Sequence, residues 1–243
     1  MAGRGGGLSD AALAPVIERA FRKGKPVAVA LSINSPGGSP VQSSLIAARI
    51  RRLADETKIP VHAFVEDVAA SGGYWLACAG DQIWADDSSI LGSIGVISAG
   101  FGFQDLIARW GIERRVHTAG RSKSTLDPFR PERPEDVERL HNVLEPIHQA
   151  FKDHVAARRG DRLTSDRDLF TGEFWAGRQS VALGLADGIG HLVPQMKALY
   201  GDKARFVVHA PRQSLFRRLG LSAGTVLDAA QERAAFARFG AGG

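Results

Sequence analysis

The first 80 residues switch between two hydrophobic periods. Behind Ser9 and Asp10, either of which can cap a helix, Leu13, Val16, Ile17, Ala20 and Phe21 recur every three or four positions. That spacing predicts a helix over residues 10–22 with one buried face. Residues 27–33 then form a run of strand length that is apolar but for Ser32, and a strand apolar on both sides belongs in a parallel sheet covered on both faces. The turn Asn34-Ser35-Pro36-Gly37-Gly38 follows, with a helix expected over 41–55. Pro60 breaks the chain, and residues 61–65 predict a second strand. Residues 66–73 contain a second glycine turn, Ser71-Gly72-Gly73, which opens an apolar helix over 74–79. Short strands are expected over 82–85 and 94–98, on either side of Gly92-Ser93.

Strand, glycine turn and helix thus occur twice in succession, which predicts an α/β fold with a mainly parallel sheet. Ligands of such sheets gather at the carboxyl ends of the strands, where both glycine turns lie. Further along, the pattern predicts a helix over 103–110, a strand over 112–117, a polar loop over 118–134 and a long helix over 134–159 bent at Pro146. The glycine-punctuated stretch 170–190 carries one more expected helix, over 178–184.

The 243 residues, 44% hydrophobic and 23% charged, suit one domain with a real core. The expected division is a flexible segment 1–9, a body 10–200 and a tail 201–243. Residues 203–243 hold seven basic side chains against two acidic ones, and the rest of the chain is balanced. The high pI of 9.7 therefore describes the tail, and a nucleic-acid-binding body is not implied. The tail, with Leu215-Phe216-Arg217-Arg218-Leu219, offers a peripheral contact for anionic lipid. The single cysteine, Cys78, excludes an internal disulfide and reads as a buried packing thiol. No stretch approaches the ~18 apolar residues of a spanning helix, nor does the start resemble a signal peptide. The expected placement is cytoplasmic, at most peripheral to the inner membrane.

Candidate chemistry begins at Ser71. A serine where a helix starts, followed by glycines, leaves free backbone N–H groups beside its hydroxyl, as a nucleophile with an oxyanion hole requires; a plain N-cap serine fits the same residues. Ser35-Pro36-Gly37-Gly38 offers further backbone donors at a neighbouring strand end, or is an ordinary turn. None of the seven histidines sits in a triad signature. Of the seven lysines, Lys123 stands apart because it lies in the loop Gly120-Arg121-Ser122-Lys123-Ser124. Ser-x-x-Lys does not occur, so a serine and lysine would have to meet from distant segments. His141, Glu145 and His148 share a helix face as metal ligands would, although a solvated face explains them better. Gly220-x-Ser222-x-Gly224 matches a nucleophile elbow without the buried strand that should precede it.

Four strings in order, Ile33-Asn34-Ser35-Pro36-Gly37-Gly38, Asp67-Val68-Ala69-Ala70-Ser71-Gly72-Gly73-Tyr74, Gly92-Ser93-Ile94-Gly95-Val96 and Gly120-Arg121-Ser122-Lys123-Ser124, resemble the signal peptide peptidase A family. Its members are serine-lysine peptidases of the Clp/crotonase fold. The intervals from Ser71 to Ser93 and to Lys123 are also the family's, and Phe170-Thr171-Gly172-Glu173 and Gly184-Leu185-Ala186-Asp187-Gly188 extend the resemblance over about residues 10–195. It implies Ser71 as nucleophile, Lys123 as general base and Ser93 as the hydroxyl that orients the lysine. Gly38 and Gly72 would be oxyanion donors, with Gly37, Gly73 and Gly92 lining the peptide. It further implies an endopeptidase for unfolded or short apolar peptides, assembled as a homo-oligomeric ring, with no metal or organic cofactor. Relatives usually begin with a hydrophobic strand and often a membrane anchor, neither of which precedes Leu13 here; a longer native form is the corresponding expectation. The rivals are a crotonase-like acyl-CoA enzyme and an inactive peptide-binding scaffold.

Overall fold

The computed structural model describes residues 8–210 and 236–239. The glycine-rich start, most of the basic tail and Gly220-x-Ser222-x-Gly224 lie outside the described residues. The chain divides into two compact units, one of Met1–Gly95 with Phe151–Gly243 and one of Val96–Ala150.

The first unit is built around a six-stranded sheet. Helix α1 (Asp10–Arg22) starts where Ser9 accepts a hydrogen bond from the Ala12 N–H, and buries Val16, Ile17 and Phe21. Strand β1 (Val29–Ser35) leads through the glycine turn to α2 (Pro40–Thr57), which buries Ile46, Ile50 and Leu53. Strand β2 (Val61–Ala70), α3 (Gly72–Ala77), β3 (Gln82–Ala85) and β4 (Ile90–Gly92) follow. β2 is the spine of the sheet, pairing in parallel with β1, β3 and β4. The antiparallel β5 (Phe174–Ala176) closes on β4, and β6 (Gly188–Ile189) adds to β3. Helices α6 (Gly177–Ala182) and α7 (Leu192–Tyr200) complete this unit. This is the mainly parallel α/β architecture that the two repeated units predict.

Three expectations are corrected. β2 does not stop at Val65. It bulges at Glu66 and Asp67, where the pairing with β1 slips, and resumes to Ala70. Polar residues mimic a turn there because both are exposed, with Ser32 donating to Glu66 and Asn34 Nδ2 donating to Asp67 at 2.6 Å. No strand forms over 94–98, since the pairing belongs to Ile90–Gly92 just before it. Residues 112–117 form no strand either; Ile112 is 59% exposed, and Arg115 pairs locally with Glu113 rather than joining a ladder. β5, β6 and α7 were not expected, being too short or too weakly patterned to register.

The second unit carries the short helix α4 (Gln104–Arg109), and the long helix α5 (Pro134–Arg159) begins there, contains Pro146 and ends in the first. Its last turns seal the floor under α3. Phe151 and His154 stack on Trp75, with ring centroids 4.8 and 5.1 Å away. Arg158 Nε donates to the Cys78 carbonyl at 2.8 Å, satisfying an orphan carbonyl of the short helix. Arg159, whose side chain is 1% exposed, pairs with Asp187 at 2.7 Å and donates from Nε to the Gly184 carbonyl at 2.8 Å. Asp187 also accepts the Ile83 N–H at 2.7 Å. Burial raises the Asp187 carboxyl, but the Arg159 hydrogen bond, the Ile83 N–H and the charges of Arg159 and Arg162 together hold it below its ordinary value. Tyr74, fully buried, donates its hydroxyl to the Leu185 carbonyl at 2.9 Å. Cys78 packs beside it, and burial pushes its thiol up to about 12, an inert core thiol as expected.

Asp187→Ala leaves Arg159 buried without its counterion and Ile83 N–H without its acceptor, so the expected loss is about 3 kcal/mol of stability. Reversible urea denaturation at neutral pH measures it. Because Asp187 is depressed in the folded state, the same contribution is present above its unfolded value and disappears in the wild type as pH falls through the folded one.

Candidate active site

β2 ends at Ala70, α3 begins at Gly72, and Ser71 alone turns the chain between them, at φ 52° and ψ −121°. A side-chain-bearing residue in this region costs about 1–3 kcal/mol and survives only where its surroundings fix it. Ser71 is fixed from three directions. Its N–H donates to the Gly92 carbonyl at 2.8 Å and its carbonyl accepts the Trp75 N–H at 3.0 Å. Its Cβ is flanked by the turn after β1, where a Cβ built on Gly37 would come within 2.9 Å of it. The hydroxyl makes no capping hydrogen bond to α3, so the N-cap reading of this serine does not hold. A sharp strand-to-helix turn with a strained serine at its apex is the geometry of a nucleophile elbow.

The neighbouring turn is pressed against it with no side chain between. Gly37 has φ 115°, and its missing Cβ would also lie 3.0 Å from the Gly72 nitrogen and 3.1 Å from the Ala70 oxygen. A Cβ on Gly72 would strike Ser43 Oγ and stand 3.2 Å from the Gly38 nitrogen, and one on Gly73 would strike the Ser35 carbonyl. The amides of Gly38 and Gly72 are thereby neighbours. Ser43, fully buried on α2, donates to the Ser39 carbonyl at 3.1 Å and supports Gly72 from below. Sequence reasoning missed it; a small polar residue four positions after Ser39 was its only signal.

Ser93 is the second strained serine, at φ 53°. Its N–H donates to the Glu173 carbonyl at 2.6 Å, through the β4–β5 ladder in which Gly92 faces Phe174. Gly92 must be glycine here: a Cβ would lie 2.8 Å from the Trp175 ring. Since the Gly92 carbonyl receives the Ser71 N–H, the two serines are linked through one residue. The first unit therefore gathers Gly37, Gly38, Ser71, Gly72, Gly73, Gly92 and Ser93. Lys123 belongs to the second unit. It is exposed, within a run of turns in which its N–H donates to the Gly120 carbonyl at 3.2 Å. Among the described residues no three His, Cys, Asp or Glu side chains, His141, Glu145 and His148 included, are placed to hold a metal ion.

The sequence pattern of Peptidase family S49 matches residues 54–201, which span β2, Ser71, Ser93 and Lys123. The chain belongs to this family. S49 relatives include the chloroplastic serine protease SPPA of Arabidopsis thaliana, 35% identical over 176 residues, or 72% of this chain and 26% of that protein. A protein of Brucella melitensis named Na(+)/H(+) antiporter NhaA is 48% identical over 250 residues, covering 96% of this chain but 34% of its own length. The chain thus spans about a third or less of these relatives. No helix among its described residues is long and apolar enough to cross a membrane.

The strain at Ser71 is measurable. Glycine adopts this φ without penalty, so Ser71→Gly should be more stable than Ser71→Ala by about 1 kcal/mol, the relief exceeding the extra chain entropy of glycine. Thermal melts of the two variants compare them directly; equal midpoints, or a lower one for the glycine variant, would show an unstrained turn.

Proposed function

We propose that this S49 domain is a serine endopeptidase working through Ser71 and Lys123. The observation that carries the reading is the strained, uncapped Ser71 at the apex of a strand-to-helix turn, with the Gly38 and Gly72 amides beside it. Ser71 Oγ attacks the peptide carbonyl while Lys123 takes its proton. The oxyanion develops against the Gly38 and Gly72 N–H groups. Lys123 returns the proton to the leaving amine, and water, deprotonated in turn by Lys123, hydrolyses the acyl ester. A lysine accepts a proton only when neutral, and loss of water around the amine favours that form. Lys123 is exposed in the isolated chain; substrate, or a second copy in a homo-oligomer, would supply the desolvation. Ser93 orients the amine, and Gly37, Gly73 and Gly92 border the path of the peptide.

The substrates are unfolded or short peptides with small or apolar side chains at the cleaved bond. A crotonase-like acyl-CoA reaction would use the paired amides but has no need of a strained serine between them. The antiporter name of the Brucella relative describes a protein of which this chain matches only 34%, and the reading here follows the S49 match. The exposed Ile97, Phe101 and Trp110 of the second unit support association of several copies.

Fluorophosphonate labelling with mass mapping tests the dyad. The adduct is expected on Ser71 alone and absent in Ser71→Ala. Lys123→Ala should slow labelling by about 10²-fold or more, the usual worth of a positioned general base. Labelling at another serine, or an unchanged rate in Lys123→Ala, would overturn the assignment.

A further inference from the structure

The loop that carries Lys123 has no regular secondary structure to stiffen it, yet one carboxylate organises it from within. Asp127 is four residues beyond the lysine and its side chain is only 6% exposed. Its Oδ1 accepts the Phe129 N–H at 3.0 Å, and its Oδ2 accepts the Ser124 hydroxyl at 3.4 Å and Arg114 Nε at 3.3 Å. The Phe129 N–H first, then Arg114 and Ser124, hold this carboxyl below its ordinary value against the effect of burial. A buried carboxylate is kept ionised only by such a full set of donors.

These three donors come from both sides of the lysine. Arg114 lies before it, Ser124 next to it and Phe129 after it. The far side of the loop is then clamped to the rest of its unit. The Phe103 N–H donates to the Pro128 carbonyl at 2.6 Å, the Phe103 and Phe129 rings lie 5.6 Å apart, and the Arg114 guanidinium sits 5.7 Å over Phe129. Between Ser124 and Asp127, Leu126 takes a left-handed φ of 55°, a conformation that needs its neighbours held.

We infer that Asp127 is the positioning residue of the lysine loop: by drawing Ser124, Phe129 and Arg114 onto one buried carboxylate, it fixes the turn that presents the Lys123 amine. Its contacts lie within its own loop and unit, and it acts through that loop. The inference rests on Lys123 being the general base, and the experiment separates the two.

The test is fluorophosphonate labelling of the full chain, read as two quantities: the rate constant of labelling and the final labelled fraction. Loss of fold lowers the fraction; a misplaced base lowers the rate constant of those molecules that do react. Asp127→Ala is expected to cut the rate constant about 10-fold to 100-fold, as a displacement of about 1 Å at a reacting group does. Asp127→Asn, which keeps the Oδ1 acceptor for Phe129, should recover most of that loss. A wild-type rate constant in Asp127→Ala, with Lys123→Ala slowed, would overturn the positioning role, as would an unchanged rate constant with only the labelled fraction reduced. An unaltered rate in Lys123→Ala would instead remove the general-base reading on which the inference stands.

Discussion

The parallel pairing of β1 and β2, with backbone against backbone where the two strands end, is the constraint on which the site depends. Gly37 lies so close to Ser71, and Gly72 so close to Ser43, that a single methyl group at either glycine has nowhere to go. That closeness puts the amide of one turn beside the amide of the next and pins Ser71 in a conformation it would not choose. The remaining supports follow from it. β4 must end where its Gly92 carbonyl meets the Ser71 N–H, and β5 must lie across β4 to hold Ser93. Trp175 then fills the space that a side chain on Gly92 would need.

Holding that arrangement requires a floor that does not move, and the floor is partly ionic. The short α3 cannot stabilise itself, since six residues make too few internal hydrogen bonds. Its carbonyl end is instead capped by Arg158, while Arg159 and Asp187 tie the neighbouring loops together beneath the core. Such a buried pair is weak as a source of net stability but costly to break, which suits a place where geometry matters more than strength. Apolar packing surrounds it, with Tyr74, Leu76 and Cys78 filling the underside of α3.

The parts legible in the sequence were those written in local chemistry. Mostly apolar runs, broken only by Ser32 and His62, marked β1 and the first half of β2, helical spacing marked α1 and α2, and Ser-Gly-Gly marked the turn that bears Ser71. The second half of β2 was hidden because Glu66 and Asp67 are polar for a reason outside the strand: they bulge outward and bond to Ser32 and Asn34 from β1. β5 was hidden because three residues carry no period, and their strand character comes entirely from β4. Asp127 and Ser43 were invisible for a related reason. Each is a common polar residue whose importance lies in what the fold brings to it.

The two serines and the lysine also differ in what fixes them. Ser71 and Ser93 are held in strained backbone conformations by a sheet and its core, so their placement is as rigid as the unit that contains them. Lys123 is held by turns and by a loop gathered around a carboxylate, in a separate compact unit, and it is exposed. A nucleophile gains from rigidity because its attack angle is narrow. A lysine serves as a base only where its amine is drawn out of water, so exposure in one state and burial in another suits that role. For the proposed dyad, a fixed nucleophile would then wait on a base that acts only once its amine leaves water. Desolvation of the Lys123 amine would be the step that commits the proposed site to reaction.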